Sequence, residues 1–126
     1  MEIKYLIKDW LPVIIYMSLI YYLSSLSNPI KEIIPLNLFP YFDFKRFIYH
    51  IVEYGILSLF LYRALKFKSK NPQTLAILIT IIYAITDEIH QYFVPGRISN
   101  VFDILIDSFG AVAMQSIINI YNFLKK

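Results

Sequence analysis

The sequence predicts an all-α integral membrane bundle of four transmembrane helices, antiparallel, with both termini cytoplasmic. Three observations predict it. The chain is 58% hydrophobic and 17% aromatic but only 17% charged, more apolar surface than a soluble domain of 126 residues could hide from water. The charges fall in short clusters between long apolar runs instead of being interspersed. Those runs number four, at 10–27, 47–65, 73–93 and 101–124, each near the roughly 20 residues a helix needs to cross the hydrocarbon layer. A single domain, 1–126, is expected.

The first run follows Lys4 and Lys8, as a secretory signal would. No Ala-x-Ala cleavage site follows it, and three more runs come after, so it reads as a retained helix. Asn28-Pro29 ends it, because proline disfavours helix at the residue before it. Residues 28–44, with Pro29, Pro35 and Pro40, form the one long loop, expected to skim the interface. A polar turn, Lys66 to Pro72, joins the second and third runs. Val94-Pro95-Gly96-Arg97 suits a type II turn, with proline second and glycine third.

Orientation follows from the basic residues. Lys4, Lys8, Arg63, Lys66, Lys68, Lys70, Lys125 and Lys126 lie on one side, and Lys31, Lys45, Arg46 and Arg97 on the other. The richer side is expected to be cytoplasmic, which puts the long loop and the Pro-Gly turn outside. The acids show the opposite bias, all but Glu2 and Asp9 falling in the outward half. The basic residues sit at the ends of apolar runs, which fits membrane anchoring and argues against nucleic-acid binding. With no cysteine there is no disulfide framework, thiolate ligand or cysteine nucleophile.

An antiparallel bundle brings the polar ends of these runs to one level. Ser24, Ser25 and Ser27 close the first run; Lys45, Arg46, His50, Glu53 and Tyr54 open the second. Asp87, Glu88, His90 and Gln91 close the third, and Asp103 and Asp107 open the fourth. At 1.5 Å per residue, Asp87, Asp107 and Glu53 each lie about 10 Å beneath the outer end of their helices. Helical intervals relate Arg46, His50 and Glu53, then Asp87, His90 and Gln91, then Asp103, Asp107 and Gly110.

Simpler readings stand beside the functional one. Asn100 and Asp103 resemble an N-cap with an acidic third position. Glu88 could face solvent at a helix end, and the serines could serve close helix packing. Gln115 and Asn119, four apart, suit hydrogen bonds to a neighbouring helix. Asp87, Asp107 and Glu53 resist such accounts, since an ionisable group inside a span costs several kcal/mol unless paired. Three carboxylates at one level repel, so protons, Arg97, Arg46, Lys45, the histidines or a cation must neutralise them. Such a cluster suits acid–base chemistry, with Asp87, Glu88, His90, Asp107, His50 and Glu53 as catalytic candidates. Arg97, Arg46, Lys45, Gln91, Tyr54, Asp103, Ser25 and Ser27 are the candidates for binding. His50 and His90 with carboxylates offer donors for a divalent metal, but the spacing is not His-Glu-x-x-His, and that reading is not favoured.

Asp87-Glu-Ile-His90-Gln-Tyr-Phe-Val-Pro-Gly96-Arg97, then Ser99, then Asp103-Ile-Leu-Ile-Asp107-Ser-Phe-Gly110, resembles the signature of VanZ-like membrane proteins. His50-Ile-Val-Glu53-Tyr54-Gly55-Ile-Leu57 is similar to that family's histidine–tyrosine segment, and Ser24-Ser25-Leu-Ser27-Asn-Pro29 to its serine-rich first-helix end. The resemblance covers nearly the whole chain. It departs at Phe47, where the family usually has a lysine three residues before the histidine; Arg46 and Lys45 are adjacent. The resemblance implies a multi-pass envelope protein linked, through the family's name, to low-level resistance to the glycopeptide teicoplanin.

The leading expectation is an outward polar pocket that binds, or modifies, a lipid-linked or cell-wall envelope component, with membrane lipids as the surroundings. Two other classes stay open: a small transporter or proton pathway, and a non-catalytic scaffold whose polar network fixes helix packing. A transporter would need ionisable groups along the full membrane depth, and the inward halves of the runs offer neutral groups such as Gln115 and Asn119.

Overall fold

The computed structural model describes residues 3–27 and 44–126. The expected interfacial loop lies almost wholly outside those residues. Four helices and no strand occur among them: α1 Ile3–Ser25, α2 Phe44–Leu65, α3 Pro72–Tyr92 and α4 Val101–Leu124. The all-α expectation is met. The helices overrun the apolar runs at their charged ends, so Lys8 and Asp9 lie on α1, and Lys45 and Arg46 fall in the first turn of α2.

Each helix stops where its sequence says it should. Proline at the start of α3 needs no backbone donor there. Asn100 caps α4, its side chain accepting from the Phe102 backbone N–H at 3.0 Å. Between α3 and α4, Gly96 adopts φ 75°, and the Arg97 N–H donates to the Val94 carbonyl at 3.1 Å. That is the geometry a type II turn requires of its third residue, and only glycine adopts it without strain.

Sequential helices run antiparallel, and α2, α3 and α4 pack on one another while α1 lies over α2 and α3 without touching α4. α2 and α4 are therefore parallel neighbours. Their bonded pairs keep one register: Arg46 with Asp103, His50 with Asp107, Ser58 with Gln115, each 57 residues apart. Close approach makes this register possible. A Cβ on Gly110 would stand 2.5 Å from the Ile51 carbonyl oxygen, so α2 backbone occupies the space a side chain would need.

The bundle pairs a small apolar core, with Val13, Ile20, Leu57 and Leu61, with many buried polar groups. Among the buried residues are Ser24, Ser58, Thr80, Asp87, Glu88, Gln91, Asp103, Asp107 and Gln115. Leu11, Ile14, Ile15, Ile82, Leu105, Phe109 and Ile117 are among the many apolar side chains that face out. An apolar exterior over a hydrogen-bonded interior is what a bilayer stabilises. Three helices, over Leu6–Ser25, Pro72–Tyr92 and Val101–Leu124, are long and apolar enough to cross a membrane. α2 is not among them, since it carries Lys45, Arg46, His50, Glu53 and Arg63 along its length.

Candidate functional site

The polar groups gather at the end of the bundle where α1 and α3 finish and α2 and α4 begin. The α2–α4 seam contributes two charged pairs, one helical turn apart. Arg46 bonds Asp103, and His50 Nδ1 donates to Asp107 Oδ1 at 2.8 Å. Asp103 and Asp107 are 4% and 2% exposed, so both carboxylates depend on these partners. A carboxylate on Nδ1–H fixes the tautomer of the neutral ring and leaves Nε2 as the acceptor. The His50 ring lies parallel to that of Tyr54, centroids 6.5 Å apart.

Asp87 belongs to a second network that ties α1, α2 and α3. The Tyr54 hydroxyl donates to Asp87 Oδ2 at 2.9 Å, and so does Gln91 Nε2, also at 2.9 Å. Gln91 Nε2 reaches Ser24 Oγ at 3.2 Å as well. Asp87 Oδ1 and Gln91 Oε1 are buried and have no hydrogen-bond partner, which leaves two acceptors in this network available to a donor.

His90 lies apart from these groups, on the α1–α3 face. Its Nε2 shares a 2.9 Å hydrogen bond with Ser25 Oγ, and the Tyr21 ring stacks on it at 4.3 Å. Glu88 is 4% exposed and does not face solvent, as the sequence allowed. Its carboxylate accepts from the Asn100 backbone N–H, and its carbonyl accepts from the Ser99 hydroxyl at 3.2 Å. Glu88 therefore closes the α3–α4 turn. Asp103 likewise does more than follow a cap, since it is buried against Arg46. Arg46 thus brings a positive charge to α4 one turn before His50, beside the position where the VanZ-like pattern has a lysine and this chain has Phe47. Lys45 is exposed in the first turn of α2.

Arg97 reaches from the α3–α4 turn to the end of α1. Its Nε–H donates to the Leu26 carbonyl at 2.9 Å and its Nη2–H to the Leu23 carbonyl at 2.7 Å, where α1 stops. The same guanidinium lines a cleft of 590 Å³ between α1 and α2. Leu19, Leu23, Leu26 and Val52 give the cleft apolar walls, and Ser27, Tyr49 and Glu53 add polar groups. Glu53 is half-buried there, and among the described residues its carboxylate has no hydrogen-bond or ion-pair partner.

Sequence reasoning missed this cleft. Tyr16, Leu19 and Leu23 sit on a helix that is apolar nearly all round, so no periodicity singles out the face that opens. It also missed the role of Ser24 beneath Gln91, and of Tyr16, whose hydroxyl donates to the Glu53 carbonyl at 3.2 Å. Gln115 and Asn119 do bond neighbouring helices: Gln115 Nε2 donates to Ser58 Oγ at 2.7 Å, and Asn119 Oδ1 accepts from Gln73 at 2.7 Å. No three His, Asp or Glu side chains among the described residues are placed to hold one metal ion.

A family model described as VanZ/LLP1 matches residues 10–122, most of the chain. The chain belongs to the VanZ/LLP1 family. No curated protein and no solved structure matches it. Family membership and the three membrane-length apolar helices make this a VanZ-like membrane protein. In this VanZ/LLP1 member the matched segment takes in the whole polar end, from Ser24 to Asp107, so the networks above belong to the family domain and not to an appendage.

Proposed function

We propose that this VanZ/LLP1 protein spans the cell membrane four times, with both termini cytoplasmic, and that its outward polar end binds a lipid-linked component of the cell envelope. Two things support α2 as the fourth span. α1 and α3 run parallel, with Met17 accepting from Tyr83, Ser25 meeting His90 and Ser24 meeting Gln91. The chain must therefore return along α2 between them, and α2 turns Arg46, His50, Tyr54 and Ser58 towards α3 and α4. The excess of basic residues at the opposite end supports the orientation.

One observation carries the binding reading: buried charged networks from α2, α3 and α4 converge beside an apolar-walled cleft that itself holds Glu53 and Arg97. Apolar walls suit a lipid tail, and a guanidinium suits an anionic head group. His50, held by Asp107, and His90, held by Ser25, can take or give a proton, as can the carboxyl groups of Glu53, Asp87, Glu88 and Asp107. Teicoplanin carries a lipid tail, so altered lipid or cell-wall chemistry at the outer surface is a coherent route from such binding to glycopeptide resistance. Alanine at Asp87, His90 and Asp107 is expected to change the envelope lipid profile and teicoplanin susceptibility. If stably expressed variants left both unchanged, the reading would fall.

A further inference from the structure

Glu53 is the feature that the polar networks do not absorb. Every other ionisable group buried at that end has its partner: Asp107 has His50, Asp103 has Arg46, Asp87 has Tyr54 and Gln91, and Glu88 has the turn backbone. The Glu53 carboxylate faces the α1–α2 cleft with none among the described residues, and an unpartnered carboxylate at such depth costs several kcal/mol. Arg97 lines the same cleft near enough for the two charges to act on each other, yet the pair does not form a salt bridge. The two bonds Arg97 makes to α1 use two of its five N–H donors.

The vertical order of these groups is fixed by the helices. Arg97 sits at the level of Leu23 and Leu26, at the mouth of the cleft. Glu53 sits at the level of Tyr16, which is bonded to its carbonyl, and Tyr16 is about 10 Å along α1 from Leu23. An occupant therefore meets a cation first and a hydrogen-bond acceptor beneath it. The size of the cleft bears on the rest of the molecule. A water takes about 30 Å³ of liquid and a methylene group a similar space, so 590 Å³ holds on the order of twenty such groups. That is room for one acyl chain with a small polar end along a cleft that is open on one side.

We propose that the cleft is a site for a single-chain phosphate lipid, its phosphate at Arg97 and a free glycerol hydroxyl beneath it donating to Glu53. This rests on the lipid-binding reading above and narrows it to the monoacyl glycerophosphates. A diacyl lipid lacks that hydroxyl, since the second acyl chain esterifies it.

The test is a competition assay on the purified full-length chain, with 1-palmitoyl lysophosphatidic acid, its 2-deoxy analogue and dipalmitoyl phosphatidic acid as probes. The first should bind at least tenfold more tightly than the other two, tenfold being about the worth of one charge-assisted hydrogen bond. Glu53→Leu, which leaves no acceptor there, should remove the preference over the 2-deoxy analogue. Val52→Trp, at a position half-exposed on the cleft wall, should weaken both single-chain probes, with the unfolding midpoint unchanged. Equal affinity for the diacyl lipid, or for the 2-deoxy analogue, overturns the proposal and leaves the broader lipid-binding reading in place. Failure of all three probes to bind overturns the proposal too, and the broader reading is then decided by the envelope lipid profile of the Asp87, His90 and Asp107 variants.

Discussion

Gly110→Ala is the smallest change that should disturb the polar end from a distance. An added Cβ would stand 2.5 Å from the Ile51 carbonyl oxygen and 3.0 Å from the Ile51 Cα, where 3.4 Å is ordinary contact. Both are backbone atoms, so no rotamer can relieve the clash, and α2 must part from α4 by about 0.9 Å, the shortfall from 3.4 to 2.5 Å. Carried one turn up the seam, that parting stretches the 2.8 Å His50–Asp107 bond to about 3.7 Å, beyond hydrogen-bond reach. Overpacking of this kind costs about 1–3 kcal/mol.

Gly55→Ala is the matched control. It gains the same intrinsic helix propensity, about 1 kcal/mol, but its Cβ would lie 3.3 Å from the Gly110 carbonyl oxygen, a shortfall of only about 0.1 Å. Propensity cancels between the two variants, and their difference reports the α2–α4 approach alone. Equilibrium unfolding in mixed micelles, followed by circular dichroism, should place Gly110→Ala about 1–3 kcal/mol below Gly55→Ala. If Gly110→Ala proved as stable as Gly55→Ala, the constant register of α2 on α4 would not depend on backbone contact, and the reasoning would be refuted.

Two further outcomes are expected. A double-mutant cycle on His50→Ala and Asp107→Ala should show a coupling of about 1–3 kcal/mol, because either single variant leaves a buried group unpaired, while His50→Ala with Gln115→Leu should add within about 0.5 kcal/mol; additive behaviour of the first pair would deny the bond. The chain has no cysteine, so single cysteines report topology without background: Ser27→Cys and Ser99→Cys should react with an impermeant maleimide on intact cells, and Lys70→Cys and Lys126→Cys only after lysis. The reverse pattern would invert the proposed orientation.

Much of the polar end was legible because charge in an apolar chain is conspicuous. Asp87, Asp107, Asp103 and His50 stand out in long apolar runs, and antiparallel connection alone brings their helix ends together. What the runs do not encode is who pairs with whom. The partner of Asp107 depends on the register of α2 against α4, and that is set by the approach of Gly110 to the Ile51 backbone, a contact with no signature beyond one small residue. Glu88 looked like a residue leaving the membrane because its partner is a backbone N–H twelve positions on, beyond a turn. The cleft was invisible for the opposite reason. On α1 almost every residue is apolar, so the sequence cannot tell the face that meets lipid from the face that opens towards Glu53.

The distribution of partners along the bundle bears on which function such a core serves. In the half away from the site, the described buried polar groups are neutral: Gln115 Nε2 donates to Ser58 Oγ while its Oε1 has no partner, and Thr80 donates to the Ala76 carbonyl. The ion pair at that end, Lys68 with Asp9 at 3.0 Å, is partly exposed near the helix ends. A conducting path needs titratable or hydrated groups through the full depth, and the ionisable residues here stop one to two turns below one surface. A scaffold would satisfy all of them internally. Asp107, Asp103 and Glu88 fit that description, but Glu53, Asp87 Oδ1 and Gln91 Oε1 do not. Two unsatisfied acceptors, Asp87 Oδ1 and Gln91 Oε1, and the unpartnered Glu53 carboxylate near one end, beside a cleft with lipid-like walls, are the pattern expected of a site completed by a molecule that brings hydrogen-bond donors.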